Sequence, residues 1–374
     1  MGDVKLGVYC ETLGPEILGD RSVLDLLGAF GVTLGHALRF TLDGVVFDPD
    51  SLAPALELGC AVREAGGGYA LWPLLPKSMG YWINERNLDA VDRMADAVLQ
   101  GCERFGARPD LVVADVETPW QQMERVYFPG PPAWRKAASA VRLAIENRSP
   151  RRYARAAARL SKIVSRLREH AAPVSAAVFP LLIADLAIGG NALQDYMEMP
   201  IFPVPFDAYN AMFYNSYLPE AVPWMIPAQA APRALYEYAT VLAGRFGDGA
   251  WVTLGSTWEG VLPGNEGKAY TEARMLAPDA AAARAAGIDT LWLYCLEGVL
   301  FSDQKLSRRR SPEQAAAFFE VMRETPAQEP EPSRKWSRGR ALPEIVAKDR
   351  LASRYRWEEA GLSVESADAT GPKT

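Results

Sequence analysis

Eight apolar, β-type runs alternate with helical patterns along this chain, and no other feature limits its fold as tightly. The first run is LGVYCE (residues 6–11) and the last is TLWLYC (residues 290–295). Between them, segments such as NLDAVDRMADAVLQGCERFG repeat apolar residues at three- and four-residue intervals and stop at glycine. Strands that alternate with helices imply a parallel sheet with crossover helices. Eight such units within residues 1–325 predict a single closed (β/α)₈ TIM barrel of the α/β class. An open doubly wound sheet would want a Gly-rich phosphate turn after its first strand, and GPEILGD there is not GxGxxG. The Arg-rich stretch Arg148–Arg168 extends the fourth crossover and reads as a solvated helical face rather than an anion site. Residues 326–374 are Pro-containing and charge-rich and read as a C-terminal tail, wrapped on the surface or partly disordered.

Active sites of such barrels lie at the C-terminal strand ends. The residues expected there are Glu11, Asp43, Trp72, Asp115, Glu117, Tyr214, Asn215, Trp258, Glu259 and Glu297. Acids and aromatics dominate that set and basic groups are nearly absent, which suits a carbohydrate ligand better than a phosphate or a carboxylate. Sugar rings stack on indoles, and their hydroxyls donate to carboxylates. Trp72, Trp82, Trp120 and Trp258 fall at or just beyond strand ends, where each serves as a sugar platform or as ordinary packing. In PKSMGYWINERN (residues 76–87), Lys77, Tyr81, Trp82 and Asn84 either close one end of a cleft or belong to a packed loop, with Asn87 capping the next helix.

The fourth run, DLVVADVET, carries the most chemistry. Side chains alternate faces along a strand, so Leu111, Val113, Asp115 and Glu117 share the face that points into the barrel. Carboxylates two residues apart lie roughly 6–7 Å apart by the strand rise, and they push each other's proton affinities apart. One is then held protonated near neutral pH, as a general acid requires. The competing reading pairs these acids with Arg39 of the second run.

The run Asp110-Leu-Val-Val-Ala-Asp115-Val-Glu117 resembles the strand-four signature DxxDxDxE of family 18 glycoside hydrolases, the chitinases and endo-β-N-acetylglucosaminidases. Met212-Phe213-Tyr214-Asn215 resembles that family's MxY[DN] motif, and Tyr294 to Glu297 (YCLE) stands where its eighth strand carries a Trp and an acid. The resemblance implies that Glu117 protonates the glycosidic oxygen and Asp115 orients the substrate's N-acetyl group. That group's carbonyl attacks the anomeric carbon, with Tyr214 and Asn215 holding it. Val113 stands where the family has a further Asp. The remaining site expectations are substrate contacts from Trp72, Trp82, Trp258, Glu259, Glu11, Arg39 and Glu297. Two other readings compete. One is a retaining glycosidase with Glu259 as nucleophile and Glu117 as acid/base, and the other is a non-catalytic carbohydrate-binding barrel.

Composition excludes other classes. The net charge of −6 argues against nucleic acid or an anionic membrane as partner. Two histidines, with no HxH or HExxH, argue against a metal site, and no cofactor motif is present. No apolar run is long enough to span a bilayer, and the N-terminus lacks a signal-peptide pattern, so a cytoplasmic location is expected. Cys10, Cys60, Cys102 and Cys295 lack CxxC spacing and read as free thiols, with Cys10 and Cys295 on neighbouring strands. Oligomeric state is not legible.

Overall fold

The computed structural model describes residues 4–43, 46–126, 139, 142–143, 145–221, 226–260 and 267–339. Eight parallel strands close into a barrel: β1 (Lys5–Cys10), β2 (Thr33–Arg39), β3 (Gly68–Leu74), β4 (Leu111–Asp115), β5 (Val174–Val178), β6 (Ala208–Phe213), β7 (Ala250–Gly255) and β8 (Thr290–Tyr294). Each strand pairs with the next, and β1 pairs with β8 from Lys5↔Thr290 to Tyr9↔Tyr294. The main helices of the outer layer are α1 (Arg21–Phe30), α2 (Ala53–Glu64), α3 (Leu88–Phe105), α4 (Pro150–His170), α5 (Ile183–Ile188), α6 (Ala231–Phe246), α7 (Ala277–Ala285) and α8 (Pro312–Glu324). The single (β/α)₈ barrel expected from the alternating pattern is therefore present. Among the described residues no helix is long and apolar enough to cross a membrane.

Two element boundaries differ from the sequence expectation. The fifth run stops at Val178, because Pro180 has no N–H for the ladder, and PLLIAD turns into a 3₁₀ turn and α5. The eighth run stops at Tyr294, and Leu296–Leu300 is a short helix that carries Glu297 in its first turn.

Strand parity builds two cores. Val8, Leu34, Leu71, Val112, Ala114, Val178, Phe213, Leu254 and Leu293 face outward and pack with the helices. Tyr9, Ala37, Trp72, Leu111, Val113 and Trp292 fill the barrel, with Trp251 beside them. Aromatic rings, not branched aliphatics, dominate this interior: Tyr9 lies 4.6 Å from Trp292 and 5.2 Å from Trp72, centroid to centroid. So large an indole needs room, and glycines on β1 and β2 provide it. A Cβ added at Gly7 would lie 2.3 Å from Cδ2 of Trp292, and one at Gly35 would lie 2.9 Å from its Cζ3. Gly7→Ala is accordingly expected to destabilise the barrel by about 1–3 kcal/mol through overpacking, measured by urea denaturation. An unchanged midpoint would show that the ring has room to shift.

The Arg-rich α4 is paired rather than free for anions. Arg159 bridges Asp89 and Asp92 of α3, and Arg166 bridges Asp92 and Asp96. Arg152 reaches Glu85 and Glu198, each at 2.7 Å, tying the loop after β3 to the loop that follows β5. All four cysteines are free thiols. Beyond α8 the chain turns back across α7 and α6. Gln328 N–H donates to Ala281 O, Arg233 pairs with Glu329, and Trp336, 1% exposed, donates to Glu237 at 2.7 Å. The tail residues 340–374 lie outside the described residues.

Candidate active site at the barrel mouth

The acids of β4 point inward, as alternation requires. Beyond Asp115 the strand is prolonged by the chain after β3. Ile83 N–H donates to Asp115 O at 2.8 Å, and Glu117 N–H donates to Ile83 O at 3.1 Å. This extra pairing keeps the backbone extended through Val116, so Glu117 remains on the face of Asp115. Asp110, at the opposite end of the run, accepts from the backbone N–H of Tyr69 at 2.8 Å and belongs to the barrel floor.

Asp115 is 3% exposed, and Glu117 is half-buried. No ion pair reaches either among the described residues, so the structure does not support their pairing with Arg39. Arg39 is exposed at the rim and donates to the Tyr81 hydroxyl at 3.5 Å instead. The two carboxyls lie on the same inward face of the strand and act on each other's proton affinity. Burial, then the charge of Glu11, pushes Asp115 up to about 7, against the opposing hydrogen bond of Trp72. Burial, then the charge of Asp115, holds Glu117 well above the usual carboxylate range. The Trp72 indole donor favours charge on Asp115, and that charge in turn favours a proton on Glu117.

Glu11 closes the opposite wall. It accepts from the Tyr81 hydroxyl at 2.7 Å and from the Tyr294 hydroxyl, two bonds that favour its charge while burial opposes it. Tyr294 stacks on Tyr214 at 5.0 Å, and Tyr217 lies 5.6 Å from Tyr214. Burial raises Tyr214 well above the ordinary phenol range, and the charges of Glu117 and Asp115 add to that effect. Tyr214 therefore lies within the electrostatic reach of the acid pair.

Other expected contacts are placed differently. The parity that turns Tyr214 inward turns Asn215 outward, where its amide donates to Asp279 of α7 at 2.8 Å. Glu297 is 0% exposed. It accepts from the backbone N–H groups of Glu11 and Thr12 at 2.8 and 2.6 Å, so it fixes the turn after β1. Glu259 accepts from Gly267 N–H at 2.6 Å within its own loop, and the charges acting on Glu117 come from Asp115 and Glu11. Trp72 is buried, with its indole N–H 3.2 Å from Asp115 Oδ2. Trp82 and Trp120 are buried and tilted together at 5.1 Å, and the Lys77 ammonium lies 4.2 Å over Trp120. Their faces are thus covered by protein. Trp258 is half-buried, its N–H on Gln304 O at 3.2 Å. The loop after β3 is packed: Asn87 stands at the N-cap of α3, but its side chain donates to Met79 O and Trp82 O at 3.1 and 2.7 Å and makes no capping bond to the helix backbone. The side chain of Asp43 lies outside the described residues.

Sequence reasoning passed over a polar chain inside the barrel. Thr253 of β7 donates to Asn210 Oδ1 at 2.7 Å, and Asn210 Nδ2 donates to the Tyr9 hydroxyl at 3.0 Å. The available signal was parity, since Tyr9, Asn210 and Thr253 are polar residues on inward positions of apolar strands. Among the described residues no group of three or more His, Cys, Asp or Glu side chains could hold a metal ion.

No protein family and no curated protein matches the sequence. Solved structures resemble it distantly. The Bacteroides ovatus GH5 xyloglucanase in complex with a XXXG heptasaccharide is 13% identical over 85% of this chain and 75% of that one, with a TM-score of 0.49. A GH5_18 protein from Bifidobacterium longum subsp. infantis is 16% identical over 87% and 81%, with a TM-score of 0.49. A GH18 chitinase from Pseudoalteromonas aurantia is 14% identical over 78% and 93%, with a TM-score of 0.39. Similarity at this level carries no conclusion about this chain's reaction.

Proposed function

We propose that this chain is a glycoside hydrolase acting on an N-acetylated sugar, with Glu117 as general acid and Asp115 as the carboxylate that orients the N-acetyl group. The observation that carries this reading is the pair of inward carboxyls at the mouth: Asp115 is buried with the Trp72 indole on it, and burial and the charge of Asp115 hold Glu117 well above the usual carboxylate range. Two inequivalent carboxyls of this kind are the means by which one site supplies both an acid and a charge near neutral pH. In the first step the acetamido carbonyl oxygen attacks the anomeric carbon while the bond to the leaving oxygen breaks. Glu117 gives its proton to that oxygen, and Asp115 accepts the amide N–H and balances the cationic ring that forms. In the second step water attacks the anomeric carbon and gives a proton to Glu117, while the bond from the acetamido oxygen to that carbon breaks and the acetamido group is restored. The product keeps the substrate's anomeric configuration. Tyr214, stacked on Tyr294, would hold the acetamido group.

The test compares N-acetyl with N-trifluoroacetyl substrates. Because the acyl oxygen is the nucleophile, the electron-poor acyl group should slow cleavage steeply; equal rates would reject this route. A Glu259→Gln variant as defective as Glu117→Gln would instead support double displacement, whose carboxyls must stand about 5–5.5 Å apart. A parent that binds chito-oligosaccharide but cleaves nothing would make the barrel a binding module.

The pH dependence follows from the pair. Below about 7 Asp115 is protonated and carries no charge. At high pH Glu117 loses the proton it must donate. A bell-shaped kcat/KM is expected, rising with pH through about 7 and falling on the alkaline side, both limbs belonging to the coupled pair. Asp115→Asn should remove the acid limb. An optimum near pH 4 would contradict the assignment.

A further inference from the structure

The sequence leaves Trp72 as a sugar platform or as ordinary packing, and the structure gives its polar edge another task. Trp72 is buried on β3, and its Nε1–H meets Asp115 Oδ2 at 3.2 Å. Its ring is held edge-on against Tyr9 at 5.2 Å and 63°, which fixes the direction of the N–H. The groups facing Asp115 are otherwise acids or phenols: Glu117 on its own strand, Glu11 and Tyr9 on the β1 side, and Tyr214 beyond β6. On the β5 side its register partner is Ala177, which offers no polar side chain. One turn of the pleat below, Val113 packs in the same interior cluster as Trp72. No cation reaches Asp115 among the described residues, so the indole is the fixed N–H donor that stabilises its charge.

We propose that Trp72 is a positioning residue whose indole N–H keeps the charge of the pair on Asp115 and so keeps the transferable proton on Glu117. This rests on the reading of Glu117 as acid. The reason is electrostatic. In a dry site a hydrogen bond to a carboxylate is strong, and it lowers that group's proton affinity relative to its neighbour's. Asp115 is buried and Glu117 half-buried, and each repels the other's charge. A single directed N–H on one of them therefore decides which is ionised. Without it, Asp115 competes for the proton and the population with Glu117 in the donating form falls.

The experiment replaces Trp72 with β-(3-benzothienyl)alanine, which has the shape of tryptophan and no N–H, beside Trp72→Phe. With the isostere, kcat should fall about tenfold, KM should stay within about twofold, and the acid limb of kcat/KM should move up by about one pH unit. A packing role alone would leave the isostere indistinguishable from the parent, and that result would overturn the proposal. A second readout is independent of turnover. In ¹⁵N-indole-labelled protein, the Trp72 N–H resonance, identified by its loss in Trp72→Phe, should shift with pH as the pair titrates, and should be flat in Asp115→Asn. A resonance that ignores pH in the parent would also overturn the proposal. If no glycan is cleaved but the resonance follows the pair, the glycosidase reading fails while the control of the pair by Trp72 stands.

Discussion

Replacing Glu117 with Gln is expected to lower kcat on a cleaved N-acetylated glycan by about 10³-fold, within the range that general acid catalysis supplies. Affinity for the same glycan should change little. Gln keeps the size of the side chain and its ability to donate to Asp115, so the site stays assembled while the transferable proton is lost. Stopped assays with binding measured by calorimetry would separate the two effects. A variant retaining more than about a tenth of the parent rate would move the acid elsewhere. The same substitution bears on stability. Both folded-state pKa values are raised, so the folded protein binds protons that the unfolded chain has released. The pair's contribution is therefore complete below the unfolded carboxylate range and is lost as pH rises through about 7. Glu117→Gln removes part of that loss and should raise the urea midpoint at pH 8 relative to the parent, more than at pH 4. A stability gain that accompanies loss of activity is expected where a site holds like charges together.

Trp336→Ala carries the largest expected effect on stability, about 3–5 kcal/mol. The residue lies in the helix Arg334–Gly339, well past the last strand–helix unit, yet it is almost fully buried. Its ring meets Tyr238 of α6 edge-on at 5.2 Å, and its N–H reaches Glu237 at 2.7 Å. Removing it opens a cavity against α6 and frees the strap that runs back over α7. Thermal and urea unfolding would measure the loss, and truncation after residue 332 should reproduce it. A change below about 0.5 kcal/mol would mean that the segment lies on the barrel without stabilising it.

Strand parity explains how much of the site could be read in advance. Period-two alternation is a property of the local chain, so the inward positions of Asp115, Glu117 and Tyr214 follow from their own segments. The same rule, applied one residue further, turns Asn215 toward Asp279, where a motif match had placed it at the substrate. The barrel itself was legible because eight strand–helix alternations leave few other ways to bury their apolar faces.

What each inward or mouth-facing group bonds to was not legible, since those partners come from distant parts of the chain. Glu11 is held by Tyr81 and Tyr294, seventy and more than two hundred and eighty residues away. Glu297 is turned to the backbone after β1, and Glu259 to its own loop. The sequence by itself determined a closed barrel with two acids directed into its mouth. Only the tertiary structure decided that Trp72 donates to one of them and that no cation neutralises either among the described residues. The physical reason is that side-chain direction is fixed by the local backbone. Charge state is fixed by burial and by partners that closure of the barrel brings within hydrogen-bond reach.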